Sequence, residues 1–172
     1  METRRAILTC RTTSEFAPGG GTIRKRALDD LLRAAMSAPC AGSESPRHFV
    51  VLRETSKLAD LAELIWEDTS LCSACIAIVV CADNRSERQM GQWVVDCAAA
   101  SENVVIMTRD MDLGSAWVRV FPYKSRMNAA AKYLKLPHFV TPFSVIFIGR
   151  TRRPLRKLGT AADETRIHIG SW

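Results

Sequence analysis

Aromatic residues are scarce, at 7% of 172 positions, so the core this chain can build is aliphatic and rich in alanine. Long apolar runs are missing as well. The longest, residues 74–82 (ACIAIVVCA), falls far short of the about 20 residues that a membrane-spanning helix needs. The start, METRRAILTC, has no apolar segment behind its arginines, so a secretory signal is not expected. Familiar catalytic signatures are absent too. There is no GxSxG nucleophile turn, no GxxxxGKS/T phosphate loop, and no GxGxxG between a strand and a helix. A serine hydrolase, a P-loop enzyme and a dinucleotide-binding Rossmann unit are thereby disfavoured. The carboxylate pairs Asp29-Asp30 and Glu67-Asp68 read as helix surface, because adjacent residues do not face each other on a helix. A chain without an acid–base constellation can still be an enzyme if a cofactor carries the reaction.

What is present fits a soluble globule: 47% apolar and 24% charged residues, over a length suited to one domain. The formal net charge is +6, from 24 Lys and Arg against 18 Asp and Glu. Five of the cations fall in residues 150–157 (RTRRPLRK), and three more are Arg24, Lys25 and Arg26. Neither run contains an aromatic residue to stack on bases, so both read as solvated surface and a nucleic-acid partner is not expected. The six cysteines, with no secretory signal, read as reduced thiols in a cytoplasm. Cys72 and Cys75 form a CxxC, but it precedes a strand instead of opening a helix, and no second CxxC or His pair accompanies it. His48, His138 and His168 are isolated, so no metal site is expected.

Apolar periodicity predicts a helix from Thr22, as N-cap, to Met36, and a strand over residues 48–52. A helix capped by Ser56 carries Leu58, Leu61, Ala62 and Ile65 on one face. Residues 76–81 (IAIVVC) read as a strand buried on both faces. A long helix over about 88–109 follows, with small residues around its middle that permit close packing. Then come a strand over 115–121, a helix over 124–135 and a strand over 143–148. This alternation predicts a three-layer α/β/α arrangement with a mixed, mainly antiparallel sheet. The tail ends in Ile167, Ile169 and Trp172, and so large an apolar terminus is expected to dock on something, most economically a second copy of the chain.

Three segments resemble one family. Residues 6–16, AILTCRTTSEF, are similar to the A-I-x-x-R-R-S-x-R-x-F/Y start of FMN-dependent nitroreductases. Residues 34–49, AAMSAPCAGSESPRHF, resemble that family's A-A-x-x-A-P-S-A-x-N-x-Q-P-W-x-F. Residues 93–122, WVVDCAAASENVVIMTRDMDLGSAWVRVFP, resemble its W-x-x-D-x-x-A-A-x-x-N helix and G-L-G-x-x-W strand. Leu136-Pro137, Ile148-Gly149 and Arg166-Ile167-His168 match its shorter closing elements.

The resemblance implies an α+β nitroreductase-like fold over residues 1–172, an intertwined homodimer with FMN between the subunits, and a tail (150–172) wrapping the neighbour. It further implies a ping-pong cycle, in which NAD(P)H is the reductant and a nitroaromatic, quinone or similar small molecule the acceptor. Carried over by position, Arg11, Thr12 and Ser14 would lie at the phosphate and ribityl chain, with Arg166 reaching the phosphate. Pro39, Cys40, Ala41 and Ser43 would line the isoalloxazine edge, and the backbone at Val118 and Arg119 would approach the flavin's central nitrogen.

The chain departs from the family pattern at several of these places. Cys10 and Ser14 stand where it has cations, Ser43 where it has Asn, Ser45 and Arg47 where it has Gln and Trp, and Arg119 where it has Gly. Losing two charge-assisted hydrogen bonds would weaken phosphate binding by about 3–6 kcal/mol. Two readings follow: a flavin enzyme with a remodelled phosphate site, or a non-catalytic dimer of the same fold that has lost FMN and binds another ligand.

Overall fold

The computed structural model describes residues 3–13, 15–19, 21–40, 45–66, 69–86, 90–152 and 163–172. In chain order the helices are α1 (Thr3–Thr9), α2 (Lys25–Met36), α3 (Thr55–Trp66), α4 (Gln92–Asp110) and α5 (Lys124–Tyr133). The strands are β1 (Arg47–Leu52), β2 (Ile76–Asp83), β3 (Gly114–Arg119) and β4 (Val140–Gly149). They form one sheet in the order β1-β2-β4-β3, and every neighbouring pair is antiparallel. Among the described residues, the parallel component is the bridge between Thr12 and Ser115.

β2 explains the layering. Every residue in it is buried. Ala77, Val79 and Cys81 turn to one face, against Leu58, Leu61, Ala62 and Ile65 of α3 and Ala130 of α5. Ile76, Ile78, Val80 and Ala82 turn to the other, against Leu31 and Ala35 of α2 and Cys97, Ala100 and Val104 of α4. A strand covered on both faces has no polar alternation to show, which is why it reads as a continuous apolar run. Each buried Leu or Ile contributes about 1.5–3 kcal/mol from its removal from water.

β4 contains a proline and still sits inside the sheet. The pairing passes from Val80 with Ser144 to Cys81 with Pro142, so Phe143 is the extra residue of a bulge. A bulge interrupts the ladder where the missing proline N–H would have been needed. Phe143 joins Trp93 and Phe121, with ring centroids 6.1 and 6.3 Å away. The small face of α4 approaches β4 closely here: the Ser101 and Ser144 hydroxyls are 2.9 Å apart, and Ser101 Oγ donates to the Cys97 carbonyl at 2.8 Å.

The structure moves several helix starts. α2 opens at Lys25, not at Thr22, because Arg24 is held extended, at φ −62° and ψ 150°. Ile23 is buried, its carbonyl accepts from Arg53 Nη2 at 2.7 Å, and Arg24 caps the helix with its backbone alone. α4 opens at Gln92, since Gly91 takes φ +83°, a left-handed conformation that ends helix propagation backward. α1 had no signal in the apolar pattern, because Ala6 is its one buried residue. Its C-terminal end is tied to α4 by Arg109 Nε, which donates to Thr9 Oγ1 at 3.0 Å.

Candidate active site

The N-terminal segment after α1 is laid along the sheet edge. Thr13 N–H donates to the Ser115 carbonyl at 2.9 Å, beside the Thr12–Ser115 bridge. Farther on, Phe16 bridges Thr151, Ala17 N–H donates to the Arg150 carbonyl and Arg152 N–H to the Glu15 carbonyl. Thr12 and Thr13 are thus stitched to the start of β3, and residues 15–17 to the exit of β4. Gly114 makes the first seam possible. A Cβ there would meet Thr151 Cγ2 at 2.3 Å and Thr13 Cγ2 at 2.6 Å.

This stitching orients β3. Ser115 presents its carbonyl away from β4, so the two-residue period places the N–H groups of Trp117 and Arg119 on that same outward edge. Val118 is buried toward α3 and α5, and Arg119 is exposed. The Arg119 carbonyl accepts from Arg126 Nη1 at 3.0 Å. The Arg126 guanidinium also lies 4.6 Å from the Tyr123 ring and 5.2 Å from that of Trp66, which braces the end of β3 against α5 and α3.

Of the residues expected at a flavin, the fold therefore aligns Arg11 and Thr12 with the edge that carries Val118 and Arg119. Arg11 and Thr12 are both exposed, and Arg11 Nη1 donates to the Cys10 carbonyl at 2.5 Å. Cys10 is partly buried, and burial followed by the charge of Glu102 pushes its thiol pKa up, so it adds no anion beside Arg11. Pro39 is exposed and Cys40 partly buried just beyond α2. Ser14, Ala41 and Ser43 lie outside the described residues. Arg166 sits in a short turn, Glu164–Arg166, and its Nε pairs with Asp163 Oδ2 at 3.0 Å, so within one chain its ion pair is with the tail itself.

Arg47 is a residue whose role the sequence did not reveal. Its Nη2 donates to the Ala38 carbonyl at 2.9 Å, its Nη1 to the Pro39 carbonyl at 3.4 Å and its Nε to Ser45 Oγ at 2.8 Å. The signal was a cation in place of the family's Trp, but its partners are backbone groups, which a sequence does not identify.

The remaining candidates fall elsewhere. Cys72 and Cys75 are partly buried and line a cavity of about 450 Å³ together with Arg53 and Thr55. Arg24 and Arg26 of one basic run and Arg150 of the other line another cavity of about 440 Å³, together with Ile23, Met111 and Leu113. Among the described residues, no group of three or more His, Cys, Asp or Glu side chains could hold a metal ion.

No protein-family model matches the chain. Among curated proteins, a provisionally named NADH dehydrogenase/NAD(P)H nitroreductase of Archaeoglobus fulgidus is 36% identical over 148 residues, covering 84% of this chain and 85% of that protein. A crystal structure carrying the same provisional name, from Bacteroides thetaiotaomicron, superposes with a TM-score of 0.90 at 29% identity, covering 99% of this chain and 98% of that one. An FMN-dependent nitroreductase of Clostridium difficile has the same fold, with a TM-score of 0.85 at 22% identity over 96% of this chain and 99% of that one. Three layers around an antiparallel sheet, an N-terminal segment sewn to the edge of β3 and this degree of identity lead to one assignment: the chain belongs to the nitroreductase family of oxidoreductases.

Proposed function

We propose that the chain is an FMN-dependent NAD(P)H oxidoreductase of nitroreductase type, acting as a homodimer in the cytoplasm on nitroaromatic, quinone or similar small acceptors. The observation that carries this is the laying of residues 11–13 along the outward edge of β3. That edge offers a guanidinium from Arg11, a hydroxyl from Thr12 and the N–H groups of Trp117 and Arg119. All four can donate hydrogen bonds, and such a set suits a phosphate anion and the nitrogen and oxygen acceptors of a flavin ring. The FMN dependence of the Clostridium difficile protein and the NAD(P)H linkage in the name of the Archaeoglobus fulgidus relative support the same reading.

In this proposal Arg11, Thr12 and Ser14 hold the phosphate and ribityl chain, and Arg166 supplies a second cation in place of those absent at positions 10 and 14. Pro39, Cys40, Ala41 and Ser43 line the ring edge, and the backbone N–H of Arg119 faces its central nitrogen, while the backbone of Val118 is turned to β4. When bound, FMN supplies hydride acceptance and electron release. The chain's own part is to bind the phosphate, orient the ring and leave one face open for reductant and acceptor in turn, which gives ping-pong kinetics. Residues 1–172 act as one domain, and the tail, 150–172, docks on the partner. Ile169 and Trp172, fully or almost fully exposed in one chain, would be covered there.

The test is the visible spectrum of freshly purified protein followed by FMN titration. Flavin absorbance, or fluorescence quenching at micromolar FMN, together with parallel-line NAD(P)H kinetics, is the expected result. A colourless dimer unresponsive to high FMN would replace this reading with a repurposed dimer of the same fold.

A further inference from the structure

We propose that the cavity beside the first turn of α2 is a second ligand site, which takes a small phosphate monoester with an apolar or aromatic body. Its walls come from distant parts of the chain. Ile23 and Arg24 lead into α2, and Arg26 and Asp30 lie in its first turns. Met111 and Leu113 join α4 to β3, Cys75 precedes β2 and Arg150 follows β4. None of the residues assigned to the flavin lines it, so the site stands whether or not FMN binds.

The charge is unbalanced and uncommitted. Among the described residues, the side chains of Arg24, Arg26 and Arg150 have no hydrogen-bond or ion-pair partner, and all three are exposed. Asp30 is the one carboxylate in the lining. It stands one helical turn from Arg26, yet the ion pair made on this turn is Lys25 with Asp29, at 2.8 Å. Three guanidiniums against one carboxylate leave a surplus of two positive charges. A phosphate monoester carries about −1.5 to −2 at pH 7, which matches that surplus, and guanidinium forks suit its oxygens. A concave wall of low polarity focuses such a field toward the anion. The floor supplies the other half of the ligand's chemistry. Ile23 is buried and Met111 and Leu113 are half-buried, so an apolar body has a surface to cover. The volume of about 440 Å³ falls within the range of about 300–1,000 Å³ usual for small-molecule sites.

The test is calorimetric titration of the full-length protein, with one equivalent of FMN per chain. Phenyl phosphate is the probe, inorganic phosphate its head alone and benzyl alcohol its body alone. Phenyl phosphate is expected to bind more tightly than either fragment and to shield Cys75 from a thiol reagent. Cys72, which does not line this cavity, should stay as reactive as before. Arg26→Gln and Arg150→Gln should each weaken the probe about fivefold, the scale of an exposed charge pair, with unchanged thermal melts. Arg11→Gln should leave its affinity unaltered. No heat at millimolar phenyl phosphate would overturn the site. Weakening by Arg11→Gln, with Arg26→Gln and Arg150→Gln without effect, would place the probe at the flavin edge and overturn it too. Equal affinity for inorganic phosphate would overturn the apolar half of the ligand.

Discussion

Asp83 closes β2 with a carboxylate gripped by one side chain. Arg85 donates from Nη2 at 2.7 Å and from Nε at 3.0 Å, and its guanidinium stacks 3.5 Å from the Phe139 ring centroid. These hydrogen bonds lower the Asp83 pKa from 3.8 to about 2. A carboxyl with a depressed folded pKa stabilises the fold above its unfolded pKa and loses that contribution as pH falls through the folded one. Arg85→Ala is therefore expected to lower stability at neutral pH. The gap between wild type and variant should narrow as pH falls from about 4 to about 2, and denaturant melts across that range check it. At the opposite extreme, burial pushes the Cys81 and Cys97 thiols up to about 12. Both stay protonated and enclosed at pH 8. A thiol-specific reagent should label Cys81 and Cys97 only after denaturation, whereas the partly buried Cys10, Cys40, Cys72 and Cys75 can react in the native protein.

Among the elements, the seam of Thr12 and Thr13 with the sheet depends on a missing side chain. Gly114→Ala would drive a methyl group into Thr13 and Thr151, both β-branched and stiff. The expected cost is about 1–3 kcal/mol, read by thermal or denaturant melts. If the seam also aligns the phosphate donors, the same variant should lose FMN affinity beyond what its lower stability explains. A variant that melts normally would show that the segment is less tightly sewn than its hydrogen bonds imply. The bulge at Phe143 is a second element-scale device. It lets β4 keep Pro142 in a central strand, and it gathers Trp93, Phe121 and Phe143 at the end of the sheet where β3 turns toward α5.

For the molecule as a whole, the proposed homodimer turns on the tail. Residues 163–172 bury none of their large apolar side chains in one chain, and Trp172 stacks on His168, at 4.2 Å between ring centroids. Removing two such side chains from an interface commonly costs well over 1.4 kcal/mol, a tenfold change in affinity. The double change Ile169→Ala, Trp172→Ala is expected to weaken dimerisation at least tenfold in sedimentation, and to release FMN if the partner's tail covers the site. Unchanged sedimentation would remove the tail from the interface. Among the described residues, no helix is long and apolar enough to cross a membrane.

Apart from α1, the order of helices and strands and the two-faced burial of β2 were legible without coordinates. Hydrophobic periodicity is local, and residues such as Leu58, Leu61 and Ile65 declare a face by spacing alone. The family likeness was legible for a related reason, since its motifs are short and keep their order. Helix starts, by contrast, were set by contacts between distant residues. Arg53 holds the carbonyl of Ile23, and α1 is tied by Arg109, a residue one hundred positions away. The site divides in the same way. Arg11, Thr12, Val118 and Arg119 could be picked out by position in a motif, whereas their shared edge and the reach of Arg47 to Ala38, Pro39 and Ser45 came only from tertiary structure. Side-chain periodicity is written along the chain, but a hydrogen bond to backbone is specified by where the chain passes, and that is decided by packing.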